Sequence, residues 1–470
     1  MQKQKKSVKD LIPPEGLFDA RKLGIPRMLI LGLQHMFAMF GATVLVPLIL
    51  VNQYGLPMSI QTTLFCAGIG TLLFHLLTKF KVPAFLGSSF AFLGGFSAVS
   101  QLDEGIFAGM TGEQKLPYAL GGVVVAGLLY LVFALIIKLV GVKRVMRFLP
   151  PVVTGPIIIS IGLILASSAV SNASGCWWLA ALSLLVIIGC NIWGKGMIKI
   201  IPILMGVVVP YALVLILSLC GVISPDSGAY VNLETVKTAQ VVGLQQFMLP
   251  KFNLTAILVM APIAIATMME HVGDISAISA TTKTNFIRDP GLHRTLLGDG
   301  LATSLSAMIG GPANTTYGEN TGVLALSRVY DPRVVRIAAG FAIILSFSPM
   351  FEQIIQSIPS AIIGGVSFIL YGMISAIGVR NVVENQVDLS KSRNVIIAAV
   401  ILVSALGFSD GLTFTIGTTT VTLTSLAIAA ILGIALNAIL PGKDYQFNDE
   451  EPNPSKPSKP LTVTGGDENE

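Results

Sequence analysis

The sequence predicts an all-α polytopic membrane protein, and three observations carry that expectation. Of 470 residues, 53% are hydrophobic and only 12% charged, against about 25% charged in ordinary soluble domains. Mean hydropathy is +0.78, more apolar surface than a soluble chain of this size can bury. Apolar runs recur from about Arg27 to Leu440, most near the ~17–25 residues that cross roughly 30 Å of hydrocarbon.

The chain opens on a basic polar segment, residues 1–26, carrying Lys3, Lys5, Lys6, Lys9, Arg21 and Lys22. No cleavable signal pattern is read there, because the first lysines lead into polar residues. Spans are expected at Arg27–Val51 and Ile60–Thr78. The third stretch, Phe80–Gly95, is too short and too broken by Gly and Pro for a plain helix. Tyr118–Leu139, Val145–Ser168, Trp177–Ile192 and Ile198–Ile223 complete a first set of seven, residues 27–223. A polar excursion, residues 224–252, divides the chain as an external linker.

The second set, residues 253–441, starts with Leu254–Ser276 and Thr295–Gly310. Its third member is again broken: Pro312-Ala-Asn-Thr-Thr-Tyr-Gly-Glu-Asn-Thr-Gly322. Val334–Met350, Ile358–Ile377, Asn394–Leu406 and Val421–Leu440 bring the total to about fourteen. Residues 442–470, rich in Pro, Lys, Asp and Glu, read as a disordered tail. With the N-terminus cytoplasmic, Lys and Arg concentrate in alternate connections, among them Lys79 and Lys81, Lys143 and Arg144, and Arg288 and Arg294. That alternation predicts an even number of spans with both termini cytoplasmic.

The two sets echo each other. Pro83-Ala-Phe-Leu-Gly-Ser-Ser-Phe90 and Pro312-Ala-Asn-Thr-Thr-Tyr-Gly-Glu319 occupy the third place in each, and Gln34-His35 matches Glu270-His271. Seven spans is an odd number, so the copies have opposite orientation: a 7+7 inverted repeat. In transporters built that way the site lies near the midplane, where discontinuous segments of the two repeats meet.

Carboxylates point to the same place. Glu270, Asp274, Asp299 and Glu319 fall inside expected spans. An ionised acid at a bilayer centre costs roughly 2.5–3.5 kcal/mol or more, so such residues usually face a cavity and serve a function. Pairing with a Lys or Arg of another span is the bland alternative, but the basic residues sit at or near span ends. Glu270 and Asp274, four apart, share a helix face. Asp299 reads as a partner that supports the site. Ser88-Ser89-Phe90 and Tyr317-Gly318-Glu319 would expose backbone N–H groups at half-helix starts, suited to carbonyl oxygens. Phe90 and Tyr317 offer rings for stacking, although packing is the usual role of such aromatics. Acceptors, donors and an aromatic wall together fit a small planar amide heterocycle.

Other classes find less support. The basic residues form no stripe for nucleic acid. Cys66, Cys176, Cys190 and Cys220 lack metal-ligand spacing and read as small hydrophobes. No nucleophile triad or phosphate loop marks an enzyme, and no metal or cofactor is expected. A channel would need a continuous polar pore. His35 and His271, at equivalent repeat positions, read as hydrogen-bonded supports more readily than as proton carriers.

At these residues the sequence resembles the nucleobase–ascorbate transporter family, most of all its bacterial uracil permease branch. The resemblance rests on Leu33-Gln-His-Met-Phe-Ala-Met-Phe-Gly-Ala-Thr-Val-Leu-Val-Pro47, Val82-Pro-Ala-Phe-Leu-Gly-Ser-Ser-Phe-Ala-Phe92, Arg288-Asp-Pro-Gly-Leu-His-Arg294 and Asn314-Thr-Thr-Tyr-Gly-Glu-Asn-Thr-Gly-Val323. It implies a core domain of segments 1–4 and 8–11 and a gate domain of segments 5–7 and 12–14. Segments 3 and 10 would each hold a short extended piece before a half-helix. It further implies uracil uptake by proton symport with alternating access, in the inner or plasma membrane, often as a homodimer. The ring would be held by the Glu270 and Glu319 side chains and the backbone N–H groups of Phe90 and Gly318. Glu270 and Asp274 would couple the proton, with His35, Ser89, His271, Tyr317 and Asn320 in support. Uracil permeases of this type tend to carry His where Asp274 stands; an acid there is closer to the xanthine and urate branch, so a purine permease remains the alternative.

Overall fold

The computed structural model describes residue 13 and residues 15–409, 411–416 and 419–442. The tail expected to be disordered, beyond Gly442, and the lysines at 3, 5, 6 and 9 lie outside them. Helix α1 (Ile25–Tyr54) carries Pro26 in its first turn and stops at Gly55, whose φ of 64° is left-handed. A proline there gives up an N–H that has no helical partner anyway. Helix α2 (Ile60–Leu77) starts at Ser59, whose hydroxyl accepts the Thr62 N–H. The broken third stretch folds as strand β1 (Leu86–Ser88) and a short helix, α3 (Leu93–Ser100). Helix α4 (Gly112–Val140) begins with a Thr111–Gln114 capping box and passes into α5 (Val142–Met146).

Then come α6 (Pro151–Ile164), α7 (Ala166–Ser174), α8 (Trp177–Ile192), α9 (Met197–Ile200) and α10 (Pro202–Leu219). The polar excursion carries α11 (Glu234–Thr238), and α12 (Leu254–Met260) leads into α13 (Ile263–Thr282). After α14 (Leu292–Met308) the second broken stretch folds as β2 (Asn314–Thr316) and α15 (Gly318–Ser327). Helices α16 (Pro332–Leu345) and α17 (Pro349–Gln356) meet at an 89° bend. They are followed by α18 (Ser360–Glu384), α19 (Ser392–Gly407), strands β3 (Leu412–Ile416) and β4 (Thr419–Leu423), and α20 (Ser425–Ile439).

Among the described residues seven helical runs are long and apolar enough to cross a membrane, with α6–α7 and α12–α13 each counted as one, and the bent α16–α17 pair would make an eighth. The fold is polytopic and mostly helical, but strictly all-α is too simple. Strands β1 and β2 pair antiparallel, and so do β3 and β4. The hairpin corrects the last span: residues expected to open it, Val421–Leu423, are strand, and the helix starts at Ser425.

Packing sorts the helices into two groups. Helix α14 lies against α4 and α2, and α16 against α1 and α2. On the other side α18 lies against α6, α7 and α8, and α19 against α20 and α6. Helix α13 touches both groups, through α4, α6 and α20. Small residues let α4 and α14 approach closely: a Cβ on Gly127 would sit 2.6 Å from the Gly300 carbonyl, and one on Gly300 would sit 2.3 Å from Tyr130 Cβ. The residues before α1 are pinned to the α15–α16 connection. Leu17 bridges Val329, and the Ala20 N–H donates to Asp331 at 2.8 Å. Hydrogen bonding by the Arg21 side chain holds the nearby Asp19 carboxyl down to about 2.

Gly127→Leu is therefore expected to lower thermal stability by about 1–3 kcal/mol through overpacking. Gly189→Leu, at a position where an added Cβ meets nothing within 4 Å, should leave the melting midpoint of the purified protein nearly unchanged.

Candidate functional site

The site is built on a crossing of two extended segments inside the bundle. In β1 and β2, Leu86 faces Thr316, Gly87 faces Thr315 and Ser88 faces Asn314. The Ser89 N–H extends the ladder to the Ala313 carbonyl at 2.8 Å, and the Tyr317 N–H extends it to Phe85 at 3.0 Å. Glycine is required at position 87, because a Cβ there would lie 2.4 Å from the Tyr317 ring. The Tyr317 hydroxyl donates to the Ser88 carbonyl at 2.9 Å, and Ser88 Oγ donates to the Thr43 carbonyl of α1 at 2.8 Å. Neighbouring helices hold the outer edges. The Leu86 N–H donates to Thr71 Oγ1 of α2 at 2.9 Å, and Thr303 Oγ1 of α14 donates to the Asn314 carbonyl at 2.9 Å.

Strand β2 passes through Tyr317 into α15, strand β1 leads through residues 89–92 into α3, and neither half-helix start has a side-chain cap. Uncapped helix starts leave N–H donors and a partial positive charge for an acceptor. Around this crossing several buried polar atoms have no protein partner: Ser89 Oγ, Glu270 Oε2, Thr315 Oγ1 and Asn320 Oδ1. Buried polar groups are ordinarily satisfied, so a cluster of orphans calls for a further partner.

Helix α13 supplies the acids, packing against both β2 and α15. Glu270 lies within electrostatic reach of Asp274, Asp299 and Glu319. The four carboxylates thus gather from α13, α14 and α15, and their surroundings differ. Asp274 and Asp299 are buried, whereas Glu270 and Glu319 keep some exposure. Asp274 accepts from Thr316 Oγ1 at 2.8 Å, tying α13 to β2. Asp299 lies 3.0 Å from His271 Nδ1, both side chains wholly enclosed. His35 receives the Asn320 side-chain amide at 3.1 Å, tying α1 to α15.

Two clefts flank the crossing. Gly318 and Glu319 line a cavity of about 390 Å³ with Phe37, Ile203 and Met373, on the side that also carries Lys199 and Arg380. Phe90 lines a different cleft of only about 30 Å³, against Ile161, Leu165 and Leu426. Its ring packs edge-on to Tyr371, centroids 5.7 Å apart. No group of three or more His, Cys, Asp or Glu suited to a metal ion is found among the described residues.

This geometry can be set beside known proteins. A model of a permease family matches residues 26–414. The uracil permease of Bacillus caldolyticus is 41% identical over 433 residues, covering 88% of this chain and 92% of that protein. The chain belongs to this family, the nucleobase–ascorbate transporters. The uracil permease of Bacillus subtilis is 38% identical over 439 residues, covering 89% of the chain and 94% of the relative. Among solved structures, the transmembrane domain of a cyanobacterium bicarbonate transporter, BicA, aligns with a TM-score of 0.60 at 16% identity. That alignment covers 89% of this chain and 99% of that one, and at such identity it speaks for the fold alone. A permease carries its solute unchanged, so the protein is a transporter and not an enzyme.

In this transporter the residues singled out from sequence fall in three places. Ser89, Glu270, Asp274 and Asn320 lie around the crossing, and of the six only Gly318 and Glu319 line the open cavity. Phe90 faces the closed cleft. Tyr317 braces the strands, its ring buried over Gly87 instead of forming a cavity wall. Sequence reasoning missed Thr316, Thr43, Gly87 and Tyr371. Thr43, Gly87 and Thr316 lie within the quoted motifs, so the signal was present; nothing local marks Tyr371.

Tyr317→Phe removes the hydroxyl that spans Ser88 and Thr43. The expected cost is roughly 1–3 kcal/mol of stability, read as a lower melting midpoint. Thr315→Val, at an orphaned hydroxyl, is expected to cost less.

Proposed function

We propose that the protein is a uracil:proton symporter of the cell membrane working by alternating access. One observation carries the reading: Glu270 and Glu319 gather with a set of orphaned polar atoms at the crossing of two broken segments inside an apolar bundle. Uracil is a flat ring with two N–H donors and two carbonyl acceptors. The Glu270 and Glu319 carboxylates would take the N–H groups, and the backbone N–H groups of Phe90 and Gly318 would take the carbonyls. The uracil permeases at 38–41% identity supply the ring.

The architecture we infer has fourteen segments in a 7+7 inverted repeat, counting β1–α3, β2–α15 and the shorter helices α8, α14, α19 and α20 as spans. Segments 1–4 and 8–11 form the core domain, and segments 5–7 and 12–14 form the gate. The two packing groups support that division, as do two broken segments at matching positions. Both termini are cytoplasmic in this reading, which puts the Glu319 cavity, with Lys199 and Arg380, on the inward side. A homodimer through the gate domains follows from the resemblance.

The coupling ion is a proton, carried by Glu270 with Asp274. Among the described residues neither acid pairs with Lys or Arg, so a proton is the simplest counter-charge for a cluster that must move through a low-dielectric region. Membrane potential would add about 2.3 kcal/mol per charge per 100 mV. Asp274 favours a second reading, a xanthine or other purine permease, since it stands where this type of uracil permease tends to carry His.

Glu270→Gln and Glu319→Gln are each expected to weaken uracil binding about 10- to 100-fold, the loss of one hydrogen bond to a charged group. Wild-type binding by both variants would remove the site. Uptake of labelled uracil into proteoliposomes should collapse when the pH gradient is dissipated; indifference to gradient and uncoupler would refute symport. Stronger competition by xanthine than by unlabelled uracil would select the purine reading.

A further inference from the structure

One end of α4 joins an apolar, outward-facing stripe to a basic pocket. Leu128, Val132, Leu135, Ile136 and Leu139 are all exposed, Leu139 to 76%. Their spacing of four, three, one and three residues puts them on one helix face. At that face's end the chain turns through Gly141, with φ of 93°, into Lys143 and Arg144. These face the α13–α14 connection across an open cavity of about 600 Å³, which Lys143, Arg144, Arg288, His293 and Asn285 line over an apolar floor including Val140 and Ile287.

Among the described residues no carboxylate lines this cavity. Asp289, next to Arg288, is engaged by Lys81. His293 is held below its ordinary range by partial burial and then by the charges of Arg294, Lys138 and Lys79. The surroundings are thus cationic, at the depth where a lipid-facing helix surface ends. Basic pockets at such a boundary suit the head groups of anionic lipids.

We propose that this pocket holds the phosphate of an anionic phospholipid whose acyl chains run along the α4 stripe. Arg144 and Arg288 supply the charge from opposite walls, Asn285 a neutral donor, and Val140 and Ile287 receive the glycerol end. A free phosphate would use the same cations but would leave the adjoining stripe without a role. A lipid seated here joins the connection that leaves α4 to the connection that leaves α13, the helix carrying Glu270. It therefore links the stretch between the two packing groups to the helix that touches both.

The test is native mass spectrometry of the purified full-length protein with phosphatidylglycerol or phosphatidylcholine of the same acyl chains. Preferential retention of phosphatidylglycerol is expected. Arg144→Gln with Arg288→Gln should cut that retention roughly 5-fold for each charge removed, while Lys195→Gln, an exposed lysine elsewhere, should not. Arg144→Lys with Arg288→Lys should retain binding, and melting midpoints check that every variant is folded. Leu135→Asn with Leu139→Asn should also weaken phosphatidylglycerol binding, and this arm reads the proposal even where the Gln variant fails to fold. Equal retention of both lipids by the wild type, or undiminished preference in the folded Gln variant, overturns the site. Displacement of phosphatidylglycerol by millimolar inorganic phosphate, with no effect of the Leu substitutions, overturns the lipid in favour of a free anion.

Discussion

The structure depends on one constraint: extended backbone at membrane depth must find its hydrogen bonds within the protein. Strands β1 and β2 meet it by pairing with each other, three residues against three, and by spending the next N–H groups on Ala313 and Phe85. The remaining edges fall to hydroxyls of α2 and α14, Thr71 and Thr303. Such a short ladder holds only because its neighbours over-determine it. Tyr317 closes over Gly87 and reaches Ser88, so one aromatic ring fixes both the spacing and the register. Once the crossing is fixed, the starts of α3 and α15 are fixed with it, and so is every donor and acid around them.

Polar groups near the crossing divide by what they do. Asp274 with Thr316, His271 with Asp299 and Asn320 with His35 each tie two elements together. These pairs hold α13 to β2, α13 to α14, and α15 to α1. Glu270 Oε2, Ser89 Oγ and Thr315 Oγ1 are left over. Orphaned polar atoms held in place beside such ties give the crossing the form of a preorganised site. The acids with residual exposure, Glu270 and Glu319, are the two that sequence reasoning chose for the ligand, while the enclosed Asp299 has a histidine partner.

Much of this was legible in the chain because hydrophobic length and broken motifs are local signals. Helix α1 was expected at Arg27–Val51 and runs Ile25–Tyr54; α8 was expected at Trp177–Ile192 and occupies the same residues. The Gly- and Pro-broken stretches yielded the two strands because their residues cannot propagate a helix. The hairpin was missed although Leu412-Thr-Phe-Thr-Ile416 and Thr419-Thr-Val-Thr-Leu423 alternate with period two, the strand signature. Val421 and Leu423 were absorbed into the last helical span, since hydropathy summed over a window ignores alternation, while Leu412–Ile416 fell in the connection before it. The 89° bend between α16 and α17 was likewise invisible to such a sum, though Pro349 stands at it. The Thr316–Asp274 contact depends on a strand register spanning over 200 residues, and no local pattern encodes it.

The two clefts give the last step. Phe90 and Glu319 occupy equivalent places in the echoing stretches, yet one lines a cleft of about 30 Å³ and the other a cavity of about 390 Å³. The difference comes from what packs opposite them. Ile161, Leu165 and Leu426, branched apolar side chains of α6 and α20 and their ends, close over Phe90. Facing Glu319, α10 and α18 stand back and leave Lys199 and Arg380 at the cavity. Under the proposed alternating access these are two ends of one route, and this conformation is open on the Glu319 side. Reversal would not require the crossing to break, because its bonds lie within one packing group. It would require Phe90 to leave its apolar cover while α10 and α18 close on Glu319. Motion is then confined to the surfaces between the groups, where α13 touches both.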